Sequence, residues 1–303
     1  MIRTKSGAAA LSIASNSVLI ALKLAAGAIT GSIAIITEAI HSLIDLVASV
    51  IAFVSVRKAD EPADRGHPYG HEKVENLAAA IEGVLILVGA AVIVYEATHR
   101  LAVGSDVESL GIGIAVMAFS VVANLVVSTV LSRQAEAHES PALAGDAAHL
   151  RTDALTSVGV LVGLALVKIT GAAAFDSITA LLVAAAIVWA GLTIIRRSSG
   201  ALVDEALPAA EMDRIEAAIA TARTPEVAGY HKLRARRAGR RRHIDLHVQY
   251  RSGTTLERAH ELAHRMRDEI EAEVPHSEVL IHVEPETSLR APEEARKGPY
   301  RAG

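Results

Sequence analysis

The chain has 303 residues, of which 51% are hydrophobic and only 3% aromatic, and it carries a formal net charge of −4 and no cysteine. This hydrophobic fraction is too high for an ordinary soluble protein, and the lack of cysteine excludes thiolate metal sites and disulfide bonds. The apolar residues are mainly alanine, valine, leucine and isoleucine, which suits closely packed membrane helices.

Six apolar segments are long enough to cross a membrane. They cover residues of about 8–29, 33–56, 77–98, 108–131, 147–169 and 174–195. An even number of spans places both termini on the same side. Lysine and arginine concentrate there, so the positive-inside rule predicts cytoplasmic termini. A three-residue turn joins the first two segments, which indicates a retained helix rather than a signal peptide.

The second and fifth spans each carry a histidine and an aspartate four residues apart, His41 with Asp45 and His149 with Asp153. Residues i and i+4 share one helix face, so two such helices can form a site with four ligands. A buried aspartate costs roughly 2.5–3.5 kcal/mol on membrane insertion scales, and a divalent cation would offset that cost. A structural His–Asp pair could explain one helix, but its repetition favours a metal site.

The loop between the second and third spans contains Asp64, His67 and His71, separated by glycine and proline. This spacing lets one cation bind to nitrogen and oxygen ligands in a bent backbone. The alternative is an ordinary polar loop surface, and these residues alone leave both interpretations open.

The chain becomes soluble in character after the sixth span. Two amphipathic helices and three strand-like runs follow in the order αββαβ, which predicts a small open sheet with helices on one face. We therefore predict an all-α six-helix transmembrane domain over residues 1–200, an α+β cytoplasmic domain over 201–287 and a mobile tail over 288–303.

Alternation within the predicted strands places His247, His282 and Glu284 on the face opposite the apolar side chains. An arginine-rich turn lies between the first two strands, at residues 236–242. It has no interleaved aromatic residues, so it predicts a solvated hairpin near the membrane rather than a nucleic-acid interface.

Taken together, the motifs resemble those of the cation diffusion facilitator family. They are His41-xxx-Asp45, Asp64-xx-His67-xxx-His71 and Ser140-xx-Leu-xx-Asp146-xx-His149-xxx-Asp153. The resemblance covers nearly the whole chain and implies a homodimeric membrane transporter rather than an enzyme. It also implies a ferredoxin-like, metallochaperone-like cytoplasmic domain, with Zn(II) as substrate and regulatory ligand and protons as counter-ion.

The resemblance implies roles for further residues. A cytoplasmic metal site at the dimer interface would use His231, His247, His260, His282 and Glu284. Glu284 stands where some members of the family have aspartate. A salt bridge between Lys73 and Asp204 would lie at the hinge between the membrane and cytoplasmic domains.

The His–Asp and His–Asp arrangement resembles the zinc-preferring type of the family. We therefore expect export of Zn(II) from the cytoplasm by alternating access, across a bacterial inner membrane. The alternatives are the same transporter class with a broader or different preference, for Cd(II), Co(II), Fe(II) or Mn(II), or a membrane metal sensor without transport. A metallohydrolase would need an open metal position and a general base, and the sequence has no HExxH motif.

Overall fold

The computed structural model describes residues 4–30, 33–103, 111–172 and 174–288. A few side chains inside these ranges, including that of His41, also lie outside the described part. The chain divides into two compact units, Met1–Gly200 and Ala201–Gly303.

Six long helices lie in the described part of the first unit. They are α1 (Lys5–Thr30), α2 (Ile33–Ala59), α3 (Lys73–Val103), α4 (Gly111–His138), α5 (Pro141–Thr170) and α6 (Ala174–Leu202). Among the described residues, α1, α3, α4 and α6 each contain a stretch that is long and apolar enough to cross a membrane. The helical membrane fold expected from the apolar segments is confirmed.

Several helices extend beyond the predicted spans. α5 begins at Pro141 rather than near residue 147, because Ser140 caps it by accepting a hydrogen bond from the backbone N–H of Leu143 at 3.4 Å. α4 continues to His138 beyond the predicted end of its span near residue 131, and α6 continues to Leu202 beyond its predicted end near residue 195. A helix can be longer than its apolar span, because polar side chains beyond the hydrocarbon layer form hydrogen bonds with water.

α5 is the central helix of this unit. It packs against α2, α3 and α4 and over a smaller area against α1, while α1 packs mainly against α2 and α4. Buried apolar side chains of several helices form one cluster around α5. It includes Ala8, Val56, Leu131, Leu143 and Leu150. Polar side chains on the inner faces of α5 are therefore removed from lipid.

Three strands and two helices form the described part of the second unit. They are α7 (Ala209–Ala222), β1 (Val227–Ala238), β2 (Arg241–Tyr250), α8 (Leu256–Glu273) and β3 (Ser277–Pro285), followed by a 3-10 turn at Glu286–Ser288. The sheet order is β1-β2-β3, with β1 and β2 antiparallel and β2 and β3 parallel. The predicted αββαβ order is confirmed. Apart from Ser288, the predicted tail lies outside the described residues.

The helices cover one face of this sheet. Ile215 and Ile219 of α7 and Met266 and Ile270 of α8 pack with Leu246 of β2 in one buried cluster. The opposite face carries the polar side chains of β2 and β3, as the alternation predicts.

The arginine-rich turn is not simply solvated. Glu211 of α7 accepts hydrogen bonds from Arg237 at 2.7 Å and from Arg242 at 3.0 Å, and Arg242 is only 6% exposed. The prediction of a solvated hairpin is therefore wrong for these two arginines, because their charge is compensated by an acid distant in the sequence.

Replacing Ile270 by alanine should destabilise the second unit by roughly 2–5 kcal/mol, since this side chain is fully buried and its loss leaves a cavity. The measurement is the urea dependence of amide exchange in α8 of the full chain in detergent. Leu256→Ala is the matched control, because Leu256 is 74% exposed at the start of the same helix. Equal destabilisation by both variants would contradict the assigned core.

Candidate metal sites

The first candidate site lies inside the helical unit, between α2 and α5. Asp45 Oδ1 lies 3.2 Å from His149 Nε2, and Asp153 Oδ2 lies 4.0 Å from the same nitrogen. The three residues each offer one ligand atom, and these atoms lie within 4.8 Å of one another. Asp45 and His149 are 6% and 5% exposed. This set of one nitrogen and two oxygen donors fits a borderline divalent cation.

His41 stands one turn before Asp45 on α2. Its side chain lies outside the described residues, so its part in the site stays a prediction. Its position at i−4 from Asp45 is nevertheless on the same helix face.

The second candidate site is the loop that follows α2. Asp64 Oδ1 accepts hydrogen bonds from the backbone N–H groups of Gly66 at 2.8 Å and His67 at 2.7 Å. Asp64 Oδ2 lies 3.4 Å from His71 Nε2, and the rings of His67 and His71 are 4.4 Å apart. Asp64, His67 and His71 thus form a group within 4.8 Å.

The electrostatics of this loop keep its acid ionised. The backbone N–H of His67, followed by that of Gly66, lowers the pKa of Asp64 below its usual value, although partial desolvation opposes the shift. An ionised carboxylate is the form that binds a cation. His71 is buried, whereas Asp64 and His67 are exposed, so the group is accessible from one side.

The third candidate site lies on the open face of the sheet in the second unit. His231, His247 and His282 are register partners across β1, β2 and β3. His247 Nδ1 lies 2.6 Å from Glu284 Oε1, and His231 Nε2 lies 3.4 Å from Glu284 Oε2. His282 Nε2 lies 3.6 Å from Glu284 Oε1. Strand pairing therefore brings four predicted ligands together.

A local irregularity positions His231. The pairing of β1 with β2 shifts register between His231 and Arg234, and Lys232 has a positive φ of 52°. Such a bulge re-orients the side chains beside it. Sequence alternation could not indicate this feature.

In a single copy of the chain, His260 lies apart from the histidines of the sheet. It lies on the exposed side of α8, and its ring is 4.3 Å from that of His264. α8 covers the sheet face opposite to the one that carries Glu284. Its inclusion in the cytoplasmic site stays a prediction that requires a second copy of the chain.

The two residues of the predicted hinge, Lys73 and Asp204, belong to different units of the chain. Lys73 is the first residue of α3. Asp204 follows α6 in a positive-φ conformation and its Oδ1 accepts a hydrogen bond from Arg236 at 3.0 Å. Their mutual salt bridge stays a prediction.

Sequence reasoning missed a charged cluster at the start of α3 and α5. Lys5 Nζ lies 2.5 Å from Asp60 Oδ1 and 2.9 Å from Glu75 Oε1, and the hydroxyl of Ser140 donates to Glu75. This cluster ties the starts of α1, α3 and α5 to the end of α2. Polar residues at helix starts are common, so no local signal distinguishes these.

A second missed feature is a polar layer beside the first site. Asp146 Oδ1 accepts hydrogen bonds from the hydroxyls of Ser12 at 3.1 Å and Ser49 at 3.2 Å. Asn16 donates to Ser49 at 2.8 Å. The motif Asp146-xx-His149 marks the position, but only the packing of α1 and α2 on α5 reveals the partners.

Apolar helices of membrane-spanning length around buried nitrogen and oxygen ligands define a multi-pass membrane protein that handles metal cations. Comparison with known proteins identifies it further. Residues 9–203 match the model of the cation efflux transmembrane domain, and residues 207–286 match that of the cation efflux protein cytoplasmic domain. The chain therefore belongs to the cation diffusion facilitator family of cation efflux transporters, which are not enzymes.

Individual relatives resemble the chain over nearly its full length. It is 34% identical to the uncharacterized transporter sll1263 of Synechocystis sp. over 277 residues, covering 91% of this chain and 89% of that one. It is 30% identical to the cation-efflux pump FieF of Salmonella paratyphi A, with 97% of each chain covered. A solved structure of CzrB in a zinc form is 33% identical and covers 29% of this chain and 99% of its own, with a TM-score of 0.27.

Replacing Glu284 by alanine should weaken zinc binding at the sheet site by at least about tenfold, because this acid contacts all three sheet histidines. The measurement is competition with a chromophoric chelator, using the full chain in detergent. Glu278→Ala is the matched control on the same strand and face. If both variants bind zinc as the unaltered chain does, the sheet histidines are not a zinc site.

Proposed function

We propose that this chain exports divalent cations, Zn(II) first, from the cytoplasm in exchange for protons. The transport site would be formed by His41, Asp45, His149 and Asp153. The observation that carries the proposal is the meeting of Asp45 with His149 at 3.2 Å in the buried interior of the helical unit. The two residues are 104 positions apart in the sequence, and burial of such a group in a membrane protein marks an ion pathway.

Charge balance supports a divalent substrate. Two aspartates and two neutral histidines around one divalent ion give a net charge near zero, which is the least costly state inside a bilayer. Without the ion, two negative charges would stand close together in a poorly polarisable environment. Protons are the available substitute for the ion.

This substitution gives a mechanism for exchange. Ionised aspartate and neutral histidine bind the metal, so metal binding releases protons and protonation releases the metal. If the helices alternate between inward-open and outward-open arrangements, metal taken up from one side is exchanged for protons from the other. Metal affinity should therefore fall as the pH is lowered.

The donor set supports zinc as the first substrate. Two histidine nitrogens and two carboxylate oxygens suit four-coordinate Zn(II), whereas Mn(II) prefers octahedral coordination by six oxygen atoms. Cd(II), Co(II) and Fe(II) accept similar donors, so a broader preference is the second candidate. A transport-free metal sensor would have no need of the buried Asp45 and His149.

The second unit supports a regulatory metal site in a homodimer. Zinc bound by the sheet histidines and Glu284 would stiffen a surface that also exposes Leu280, which is 67% accessible. An exposed apolar side chain beside metal ligands suits contact with a second copy. The basic residues Arg57 and Lys58 in the last turn of α2 support cytoplasmic termini. A bacterial inner membrane is the location that we propose, since the relatives sll1263 and FieF come from Synechocystis and Salmonella.

Replacing Asp45 by alanine should reduce zinc uptake into proteoliposomes by about a hundredfold or more, because it removes a transport ligand and leaves the site charge unbalanced. Uptake of Zn, Cd and Mn is measured with a metal-sensitive dye while a second dye records internal pH. Glu61→Ala is the control, since this exposed acid lies just beyond the same helix.

The outcome of this assay separates the alternatives. Preference for Mn, or full activity in Asp45→Ala, would overturn the proposed zinc site. Metal flux without a matching proton flux would support cation efflux and contradict exchange for protons.

A further inference from the structure

Glu82 of α3 is a fully buried acid outside the proposed metal sites. Its side chain is 0% exposed, and neither carboxylate oxygen has a hydrogen-bond partner among the residues that the structure describes. Burial of an ionised carboxylate without a partner costs several kcal/mol, so such a group normally holds a proton or a cation.

The surroundings of Glu82 are shaped to admit its carboxyl group. A methyl group on Gly145 of α5 would overlap Glu82 Oε2, so glycine leaves the space that the carboxyl occupies. Asp146, the next residue on α5, is also 0% exposed. Its Oδ1 is held by two serine hydroxyls, whereas its Oδ2 has no hydrogen-bond partner among the described residues.

No described basic group compensates Glu82. On α1, Lys5 is bound to Glu75 and Lys23 donates to Ser42 at 2.7 Å. On α5, His149 contacts Asp45 of α2.

The other helix beside Glu82 is α6. α6 packs on the adjacent Gly83 through Ile195, and its terminal arginines, Arg196 and Arg197, are exposed. The charged group that acts on Glu82 is therefore Asp146, and it repels a negative charge there.

We propose that Glu82 is a proton-binding residue of the transporter, separate from the metal ligands, which releases its proton when a divalent cation occupies the transport site. The proposal rests on the proposed proton-coupled transport and names a carrier for one of the exchanged protons. Asp146 stands three residues before His149 on α5, a rise of about 4.5 Å. A cation bound at His149 thus reduces the repulsion between Asp146 and Glu82.

Glu82 releases and takes up one proton in each transport cycle. When the metal binds, the O–H bond of Glu82 breaks, the electron pair stays on the carboxylate and the proton passes to water. When the metal leaves, the carboxylate of Glu82 takes a proton from water on the side to which the site is then open. The proton that leaves Glu82 thereby compensates one of the two positive charges that the divalent cation brings.

The test compares the full chain with Glu82→Gln and Glu82→Asp in proteoliposomes under a zinc gradient. The ratio of protons to zinc ions should fall by about one in Glu82→Gln, because an amide cannot carry the proton, and Glu82→Asp should restore it. Glu96→Gln is the matched control on an exposed face of the same helix and should keep the original ratio.

Each outcome decides the inference. An unchanged ratio in Glu82→Gln overturns it, whereas absence of zinc-driven proton flux in the unaltered chain overturns the proposed antiport instead. If Glu82→Gln is folded but does not transport, proton release on zinc binding is measured in detergent. Release of about one proton fewer, with zinc binding that is weaker but still measurable, supports the proposal. Equal release, or loss of zinc binding, overturns it.

Discussion

The close contact between Asp45 and His149 is the interaction on which the membrane unit depends. Charged groups in a hydrocarbon layer are tolerated only when they face the protein interior and have partners. α5 meets this requirement because it packs against four other helices, so its polar face is removed from lipid. The neighbouring helices contribute small and apolar residues to the buried cluster around α5, which allow close approach of the helices. The geometry of the site therefore depends on how the helices of the bundle pack.

Polar contacts recur along α5 at successive levels. Ser140 meets Glu75 at its start, Asp146 meets serines of α1 and α2 further along, and His149 meets Asp45. These contacts join α5 to α1, α2 and α3 through hydrogen bonds to carboxyl groups, whose individual net contributions are about 1.5–3 kcal/mol when the carboxyl is charged. Bonds of this strength hold one arrangement of helices and can be exchanged for another. The transport by alternating arrangements that we propose would need contacts of this kind rather than a continuous apolar interface.

The cytoplasmic site uses a different principle. Its histidines stand in register on three strands, so backbone pairing rather than helix packing sets their separation. The buried cluster beneath the sheet holds the strands in place. Glu284 contacts all three histidines, so the geometry of the group depends on one acid. A rigid scaffold with one shared acid suits a regulatory site more than a transport site.

The sequence by itself determined the six helices, the αββαβ order and the candidate ligands, because apolar periodicity, turn residues and i,i+4 spacing are local properties. It also indicated the polar face of the sheet, since alternation has a period of two. Only the tertiary structure decided that Glu82 lies against Gly145, that Glu211 holds the turn arginines and that His260 lies apart from the sheet histidines. These are contacts between distant segments, and no local pattern specifies which buried surfaces meet.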